Sequence, residues 1–124
     1  MPKKILVTED SPTVAAIIKS ALTDEGYSVI LAEDGKAALD AAKKEKPDLI
    51  VMDLMLPKLD GYKVCAMLKF DRNFVDTPII ILTARSADAD KQMGQEVHAD
   101  AYITKPFEPQ VLLAKVKELL EKKK

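Results

Sequence analysis

Cysteine and histidine are scarce in this sequence of 124 residues, which contains one of each. A single cysteine, Cys65, excludes an internal disulfide and a zinc site built from cysteines. It lies in the helical-looking stretch GYKVCAMLK with no histidine beside it, so we expect a small core or half-buried residue rather than a nucleophile. The lone histidine, His98, is expected to be an ordinary surface residue, with a ligand or a phosphorylated histidine as alternatives.

An excess of charge of one sign and long apolar runs are also missing. Nineteen basic and twenty acidic residues give a net charge of -1, which offers no general attraction to nucleic acid or to an anionic membrane. The longest apolar runs, such as residues 79–82, fall far short of a bilayer span, and the start MPKKILV lacks the length and cleavage site of a secretory signal. We therefore expect a cytoplasmic protein without a membrane or nucleic-acid partner.

The size and composition predict one domain over residues 1–124 with no separate output domain. A hydrophobic content of 48% is enough to form a core. No Gly/Ser-rich linker, low-complexity tract or internal repeat divides the chain.

Five short aliphatic or β-branched runs predict five strands. They are residues 3–8, 28–32, 48–53, 78–83 and 100–105. Stretches with helical spacing separate them, and this alternation favours a parallel sheet with helices on both faces. The third and fourth runs are apolar at nearly every position, as in strands that are covered on both sides, so we place them in the centre of the sheet.

The first predicted helix has clear boundaries. Ser11 can cap its first turn, Pro12 suits its first position, and Gly26 can take the left-handed conformation that ends it. Its buried stripe is predicted at the positions with i, i+3, i+4, i+7, i+8 spacing, which are Val14, Ile17, Ile18, Ala21 and Leu22.

The later predicted helices differ in how clearly the sequence marks their caps and apolar contacts. Asp34 and Asp60 are predicted caps of the second and third helices, and Glu108 with Pro109 starts the fifth. The fourth, over residues 86–100, has few apolar contacts, and Gly94 lowers its stability by about 1 kcal/mol. We expect a solvated, mobile or exposed helix there, and the alternative is a switching or docking face.

Polar residues follow the predicted strands at the edge where ligands bind in open parallel sheets. They are Glu9, Asp10, Asp53, Thr83 and Lys105. Two carboxylates about 4 Å apart repel by about 4 kcal/mol at an effective dielectric near 20, so something positive must be bound. The sequence predicts a Mg²⁺ (or Mn²⁺) site whose side-chain ligands are the three acids.

Beside such a cation, Asp53 can act as a nucleophile and form an acyl phosphate, because it stands alone at the end of a central strand. Lys105 and Thr83 can each bind a phosphoryl oxygen, and the small Ala84 leaves the approach open. The structural alternatives are a helix cap at residues 9–10, an ordinary strand-end acid at Asp53 and a surface lysine at Lys105.

Four segments resemble the receiver domains of two-component response regulators. They are ILVTEDS, PDLIVMDLMLPKLDG, PIIILTA and DAYITKPF, in the family's order and spacing over essentially the whole chain. The resemblance implies an α/β fold with a doubly wound five-stranded parallel sheet, flavodoxin-like (βα)5, with strand order 2-1-3-4-5. It also implies Mg²⁺-dependent phosphorylation of Asp53 by a histidine kinase.

The resemblance adds further roles. It implies that Met55 gives its backbone carbonyl to the metal and that a cis Lys105–Pro106 peptide aims the lysine into the site. It implies a switch in which the Thr83 hydroxyl moves toward the phosphoryl group while Tyr102 swings inward. The alternative for Tyr102 is a half-packed ring with its hydroxyl in water.

The family pattern is not matched everywhere. The acidic pair is Glu-Asp rather than the commoner Asp-Asp, and His98 stands where glycine is common. Met55 and Arg85 flank the site and are expected to tune hydrolysis of the acyl phosphate.

The resemblance implies protein partners. A sensor histidine kinase or phosphotransfer protein would donate the phosphoryl group, and a downstream protein would read the face formed by the predicted fourth helix, fifth strand and fifth helix. Single-domain regulators of chemotaxis or motility are similar, the segment EDSPT is similar to regulators of twitching motility, and a phosphorelay intermediate is the alternative. A monomer or a weak phosphorylation-dependent dimer is expected.

Three other functions are alternatives to a phosphorylated receiver domain. A flavodoxin-type FMN binder needs a phosphate loop after the first strand, where TEDSPT instead places two carboxylates. A phosphatase of the haloacid dehalogenase type carries Asp-x-Asp, whereas Leu54 and Met55 follow Asp53 here. A receiver-like module that binds constitutively remains open, and no turnover of external substrates is expected.

Overall fold

The structure is a computed structural model that describes residues 3–53, 61–83, 100–104 and 107–122. Its elements in chain order are β1 (Lys4–Thr8), α1 (Pro12–Asp24), β2 (Ser28–Ala32), α2 (Gly35–Glu45), β3 (Leu49–Asp53), α3 (Gly61–Lys69), β4 (Ile79–Thr83), β5 (Ala101–Thr104) and α4 (Pro109–Lys122). The five predicted strands are present within one residue at each end. The fourth predicted helix lies almost wholly outside the described residues.

The five strands form one parallel sheet in the order β2-β1-β3-β4-β5. This is the predicted doubly wound flavodoxin-like arrangement. All five residues of β3 are buried, and β4 pairs with strands on both sides. The prediction that the third and fourth strands occupy the interior of the sheet is confirmed.

Each face of the sheet carries its own core because successive strand residues point to opposite faces. Ile5 and Val7 belong to the core that includes α1 and α4, whereas Leu6 belongs to the core that includes α2 and α3. The first core contains Ile18, Leu22, Leu112, Val116 and Leu120 from its helices. The second contains Ala38, Ala42, Val64, Cys65 and Leu68.

The predicted helix boundaries are confirmed where the structure describes them. The backbone N–H of Val14 donates to Ser11 Oγ at 3.3 Å, Pro12 is the first residue of α1, and Gly26 follows with φ +93°.

The backbone N–H of Ala37 donates to Asp34 Oδ1 at 2.8 Å, and α4 begins at Pro109. Asp60 lies outside the described residues.

No helix in the described part of the chain combines the length and apolarity needed to cross a bilayer.

The predicted stripe of α1 is wrong at Ile17. Its side chain is 49% exposed, while Ile18 is 1% exposed and Leu22 is fully buried. Successive helical residues are about 100° apart, so only one of two adjacent isoleucines can face the sheet. Ala15 completes the buried line in place of Ile17.

Cys65 is part of the core, as predicted. It is fully buried on α3, and burial raises the pKa of its thiol to about 11, an effect that the nearby Lys69 ammonium opposes. A thiol in this state is neutral near pH 7, which supports a packing role rather than a nucleophilic one.

An ion pair joins the end of α3 to the start of β5. Lys69 Nζ donates to Asp100 Oδ2 at 2.8 Å and to the Thr77 carbonyl at 2.8 Å. Asp100 Oδ2 also accepts the backbone N–H of Ile79 at 2.8 Å. The Lys69 side chain is 7% exposed, so the carboxylate offsets a nearly buried positive charge at the point where β4 and β5 begin.

Substitution of the two adjacent isoleucines tests the position of the buried stripe. Ile18→Ala should lower the free energy of unfolding by about 3 kcal/mol, because it leaves a cavity under the sheet. Ile17→Ala should change it by less than about 0.5 kcal/mol, because its side chain is half exposed. Urea denaturation followed by circular dichroism measures both, and equal losses would contradict the described orientation of α1.

Removal of the Asp100 carboxylate tests the ion pair between Lys69 and Asp100. Asp100→Ala should cost about 2 kcal/mol of unfolding free energy, since it leaves the Lys69 ammonium without its counter-charge and the Ile79 N–H without its acceptor. The matched control is Glu118→Ala, which breaks the exposed 3.0 Å pair with Lys115 and should cost less than about 0.5 kcal/mol. Similar chemical-denaturation midpoints for the two variants would argue against a structural role for the Lys69–Asp100 pair.

Candidate functional site

The ends of β1 and β3 place two acids side by side. Thr8 pairs in register with Met52, so the next residues along the two strands, Glu9 and Asp53, are neighbours at the carboxyl edge of the sheet. Glu9 is 3% exposed and Asp53 is 2% exposed, whereas Asp10 is exposed to solvent. The edge therefore holds two buried carboxylates and a third at its surface.

The three carboxylates form a compact cluster of oxygen donors. One oxygen from each of Glu9, Asp10 and Asp53 lies within 4.8 Å of the others. At this separation each charged pair repels by about 3 to 4 kcal/mol at an effective dielectric near 20. A hard divalent cation such as Mg²⁺ takes carboxylate oxygens as ligands and keeps several waters, so the donor set fits it.

Glu9 is oriented by the backbone on both sides of it. The backbone N–H of Ser11 donates to Glu9 Oε1 at 3.2 Å, and the Glu9 N–H donates to the Ala32 carbonyl at 3.1 Å. Ser11 thus caps α1 through its hydroxyl and directs Glu9 through its amide. Sequence reasoning found only the cap, although the spacing of two residues between the acid and the cap was a visible signal.

Thr83 is the further predicted residue that the structure describes at this edge. Asp53 pairs in register with Leu82, so Thr83, the last residue of β4, lies one position further along. Thr83 pairs with Thr104, the last residue of β5. The other predicted site residues lie outside the described residues: Met55, Ala84, Arg85, Lys105 and Pro106. His98 also lies outside them.

Tyr102 lies in the middle of β5 and packs against the core that includes α2 and α3. The residue is partly exposed, but its hydroxyl oxygen is buried. The alternative that placed this hydroxyl in water is therefore wrong for this structure.

A cleft of about 410 Å³ adjoins the acids, between α1 and β2. Its lining residues are Glu9, Asp10, Pro12, Ala15, Ala16, Lys19, Leu31, Ala32 and Glu33. Sequence reasoning missed Glu33, which follows β2 as Glu9 follows β1. The rule that ligands bind at the carboxyl ends of parallel strands would have found it, since β2 ends at the same edge.

One known protein family matches most of the chain. Residues 5–117 match the response regulator receiver domain. The chain belongs to this family. The prediction of a receiver domain with the flavodoxin-like fold is confirmed.

Three relatives illustrate the similarity. Over 122 residues the chain is 47% identical to the alkaline phosphatase synthesis transcriptional regulatory protein PhoP of Bacillus subtilis (strain 168), covering 98% of the chain and 50% of that protein. The receiver's fold is similar to that of the chemotaxis response regulator CheY4 of Vibrio cholerae, with a TM-score of 0.91, 31% identity and coverage of 96% and 99%. The chain spans about half the length of the curated relatives it matches.

A third relative has a metal in its structure. This is the receiver domain of sensor histidine kinase PA1611 from Pseudomonas aeruginosa PAO1, which has a magnesium ion coordinated in its active site cleft. The receiver's similarity to it has a TM-score of 0.89 at 31% identity, covering 98% of this chain and 99% of that one.

Titration with Mg²⁺ tests the cluster as a metal site. Isothermal titration calorimetry should show one saturable site, and Asp10→Asn should weaken it at least about tenfold because a charged ligand is lost. The control Asp40→Asn removes an exposed acid on α2 and should leave affinity unchanged. Mn²⁺ should broaden the amide resonances of Glu9 and Asp53 in NMR spectra, and broadening centred elsewhere would exclude this cluster.

Proposed function

We propose that this receiver domain is a phosphorylation-dependent signalling switch of a two-component system, with Asp53 as the phosphoacceptor. The observation that carries the proposal is the position of Asp53, a buried carboxylate at the end of the central strand within 4.8 Å of Glu9 and Asp10. A cluster of carboxylates at that depth costs free energy unless a bound cation offsets its charge.

The proposed reaction transfers a phosphoryl group from a phosphohistidine of a sensor kinase or a phosphotransfer protein. An oxygen of the Asp53 carboxylate attacks the phosphorus, the phosphorus–nitrogen bond breaks, and the imidazole leaves with the electron pair and takes up a proton. The product is an acyl phosphate on Asp53. Water later attacks the phosphorus, the bond between phosphorus and the Asp53 oxygen breaks, and inorganic phosphate leaves, which restores the carboxylate.

Glu9, Asp10 and Asp53 would hold Mg²⁺ or Mn²⁺, with the Met55 carbonyl as a further proposed ligand. When bound, the ion would neutralise the charge that otherwise keeps a phosphoryl group away from three carboxylates. The magnesium ion in the cleft of the PA1611 receiver supports this assignment. The amide of Ser11 orients Glu9 for the same task.

Thr83 and Lys105 are proposed to bind the phosphoryl oxygens. The end of β4 brings the backbone of Thr83 to the edge where Asp53 lies, and β5 ends beside it at Thr104. A hydroxyl and an ammonium would stabilise the charge on the transferred group. Ala84, Arg85 and Pro106 are proposed to flank the site, with Arg85 and Met55 controlling access of water to the acyl phosphate.

Signalling is proposed to pass through Tyr102 to a surface made by β5, α4 and residues 86–99. Movement of the Thr83 hydroxyl toward the phosphoryl group would leave room for the ring to change position. The output is then a protein–protein interaction of a cytoplasmic domain, as a monomer or a weak phosphorylation-dependent dimer. The domain turns over no external substrate.

Two relatives support different outputs for such a switch. CheY4 is named as a chemotaxis response regulator, which agrees with the predicted motility output, and PhoP is named as a transcriptional regulatory protein. A phosphorelay intermediate and a constitutive binding module are the other proposals. Each of these functions except the constitutive binding module uses Asp53 as the phosphoacceptor.

Incubation with acetyl phosphate and Mg²⁺ tests the phosphoacceptor. Intact-mass spectrometry should show one phosphoryl adduct that is labile to base and absent without the metal, because Asp53 reacts only when the charge of the cluster is offset. Asp53→Asn should abolish the adduct. Asp40→Asn, which changes an exposed acid, should leave it intact.

An adduct that survives in Asp53→Asn would contradict the assignment. Absence of any adduct in a folded protein that binds Mg²⁺, repeated with a phosphorylated histidine kinase as donor, would favour a constitutive binding module.

A further inference from the structure

A single residue, Ser11, connects the carboxylate cluster to the first helix. Its backbone N–H donates to Glu9 Oε1 at 3.2 Å, and its hydroxyl oxygen accepts the N–H of Val14 at 3.3 Å. Its carbonyl accepts the N–H of Ala15 at 2.9 Å, which is the first hydrogen bond of α1. Two polar groups of Ser11 are therefore bonded to the helix, and the third is bonded to a proposed metal ligand.

The conformation of the cap sets the direction of the Ser11 N–H. Ser11 is extended, with φ -83° and ψ 116°, as an N-cap residue requires. These two angles relate the peptide plane between Asp10 and Ser11 to the first turn of α1. The hydroxyl bond to Val14 holds the angles, and Pro12 also restricts the residue before it to extended conformations. The helix therefore aims the N–H at Glu9.

Glu9 gains order from this N–H. A glutamate side chain has three rotatable bonds, so fixing it in a metal site costs conformational entropy. The Ser11 amide fixes one carboxylate oxygen, and the hydrogen bond from the Glu9 N–H to the Ala32 carbonyl fixes the backbone. The same amide closes a short loop around Asp10, which is exposed. A group that is already ordered loses less entropy when it binds, which raises affinity.

The helix that supports Ser11 is itself held by the core. Ala15, Ile18 and Leu22 bury α1 against the sheet, with 8%, 1% and 0% of their surfaces exposed. The first turn of α1 therefore has a fixed position relative to β1. A cap that joins this turn to Glu9 transfers the fixed position to the carboxylate.

The second helix provides an internal comparison. Asp34 caps α2 by accepting the Ala37 N–H at 2.8 Å, as Ser11 caps α1. Asp34 follows β2 and so lies toward the same edge of the sheet, but it is not one of the three acids whose oxygens lie within 4.8 Å of one another. Loss of either cap should loosen a helix, and only one of the two helices leads to a proposed metal ligand.

We infer that Ser11 is a positioning residue for the divalent cation and that it couples capping of α1 to metal affinity. The inference rests on the proposed metal site of Glu9, Asp10 and Asp53. Ser11 acts through Glu9, since its own hydroxyl and carbonyl are bonded to α1. The coupling is reciprocal, so a cation that binds the ordered carboxylate also stabilises the first turn of α1.

Mg²⁺ affinity of Ser11 variants measures the coupling. Ser11→Ala removes the capping hydroxyl and keeps the N–H, so any loss of affinity arises from the direction of the N–H. Isothermal titration calorimetry should show about threefold weaker binding, which is less than the factor by which a serine cap stabilises a helix. Ser11→Thr keeps a capping hydroxyl and should restore the affinity of the unmodified protein.

Cap variants of α2 separate metal positioning from general loosening of a helix. Asp34→Ala should lower the free energy of unfolding about as much as Ser11→Ala, measured by urea denaturation in EDTA, and should leave Mg²⁺ affinity unchanged. Asp34→Asn keeps a capping side chain and removes the charge, so it corrects for any electrostatic effect of Asp34 on the cation. Circular dichroism should show that all of these variants fold.

Hydrogen exchange measured by NMR tests the reciprocal effect. Saturating Mg²⁺ should slow exchange of the Ser11 and Val14 amides, because the bound cation stabilises the ordered Glu9 and the turn connected to it. Exchange of the Ala37 amide, which is bonded to the cap of α2, should not change. The effect of Mg²⁺ on the Val14 amide should be smaller in Ser11→Ala.

Three results would overturn the inference: equal Mg²⁺ affinity in Ser11→Ala and the unmodified protein, an equal loss of affinity in Asp34→Ala, or equal slowing of exchange at Val14 and Ala37. Each of these leaves the proposed metal site intact, because the unmodified protein still binds Mg²⁺. Absence of Mg²⁺ binding by the unmodified protein would instead overturn the metal site, and the inference with it.

Discussion

Mutual repulsion between carboxylates at the end of the central strands is the constraint on which the rest of the structure depends. Glu9 and Asp53 are almost fully buried and share their edge with Asp10, within 4.8 Å. The cluster costs free energy in the absence of a cation, and the remaining fold must supply that free energy. Two apolar layers provide this free energy by covering both faces of β3, where every residue is buried. The core beneath the cluster therefore provides the stability that the repulsion removes.

The register of the sheet sets the position of each acid above that core. Because Ile5 pairs with Leu49 and Thr8 with Met52, the residues that follow are aligned whatever their own charge. Hydrogen bonds to Ala32 and from Ser11 then fix Glu9 on its outer side. Among the described residues, Glu9 is therefore positioned by backbone hydrogen bonds and Asp53 by the register of a buried strand.

Apolar runs and caps were sufficient to predict the five strands, the order of elements and the edge at which the acids meet. These signals are local, since a buried strand needs successive apolar residues and a cap needs its hydroxyl within one turn. Ile17 was misplaced because helical spacing gives the width of a stripe but not the direction in which the helix faces. The Lys69–Asp100 pair joins residues 31 apart, so no local period could reveal it. The amide of Ser11 was missed because every residue except proline carries such a donor, so only the two-residue spacing between Glu9 and the cap marked it.

A parallel sheet gives its two edges different compositions, and this difference has a functional consequence. All strand ends reach one edge, where the acids collect, and all strand starts reach the other, where Lys46 and Asp48 precede β3 and Asp100 precedes β5. Lys69 ties the starts of β4 and β5 to α3, so this edge is anchored by an ion pair, whereas the carboxylates at the other edge repel one another. Movement on charge neutralisation is then expected at the acidic edge and not at the anchored one. A domain built in this way can change one surface when the charge of its carboxylates is neutralised, while the opposite edge keeps its structure.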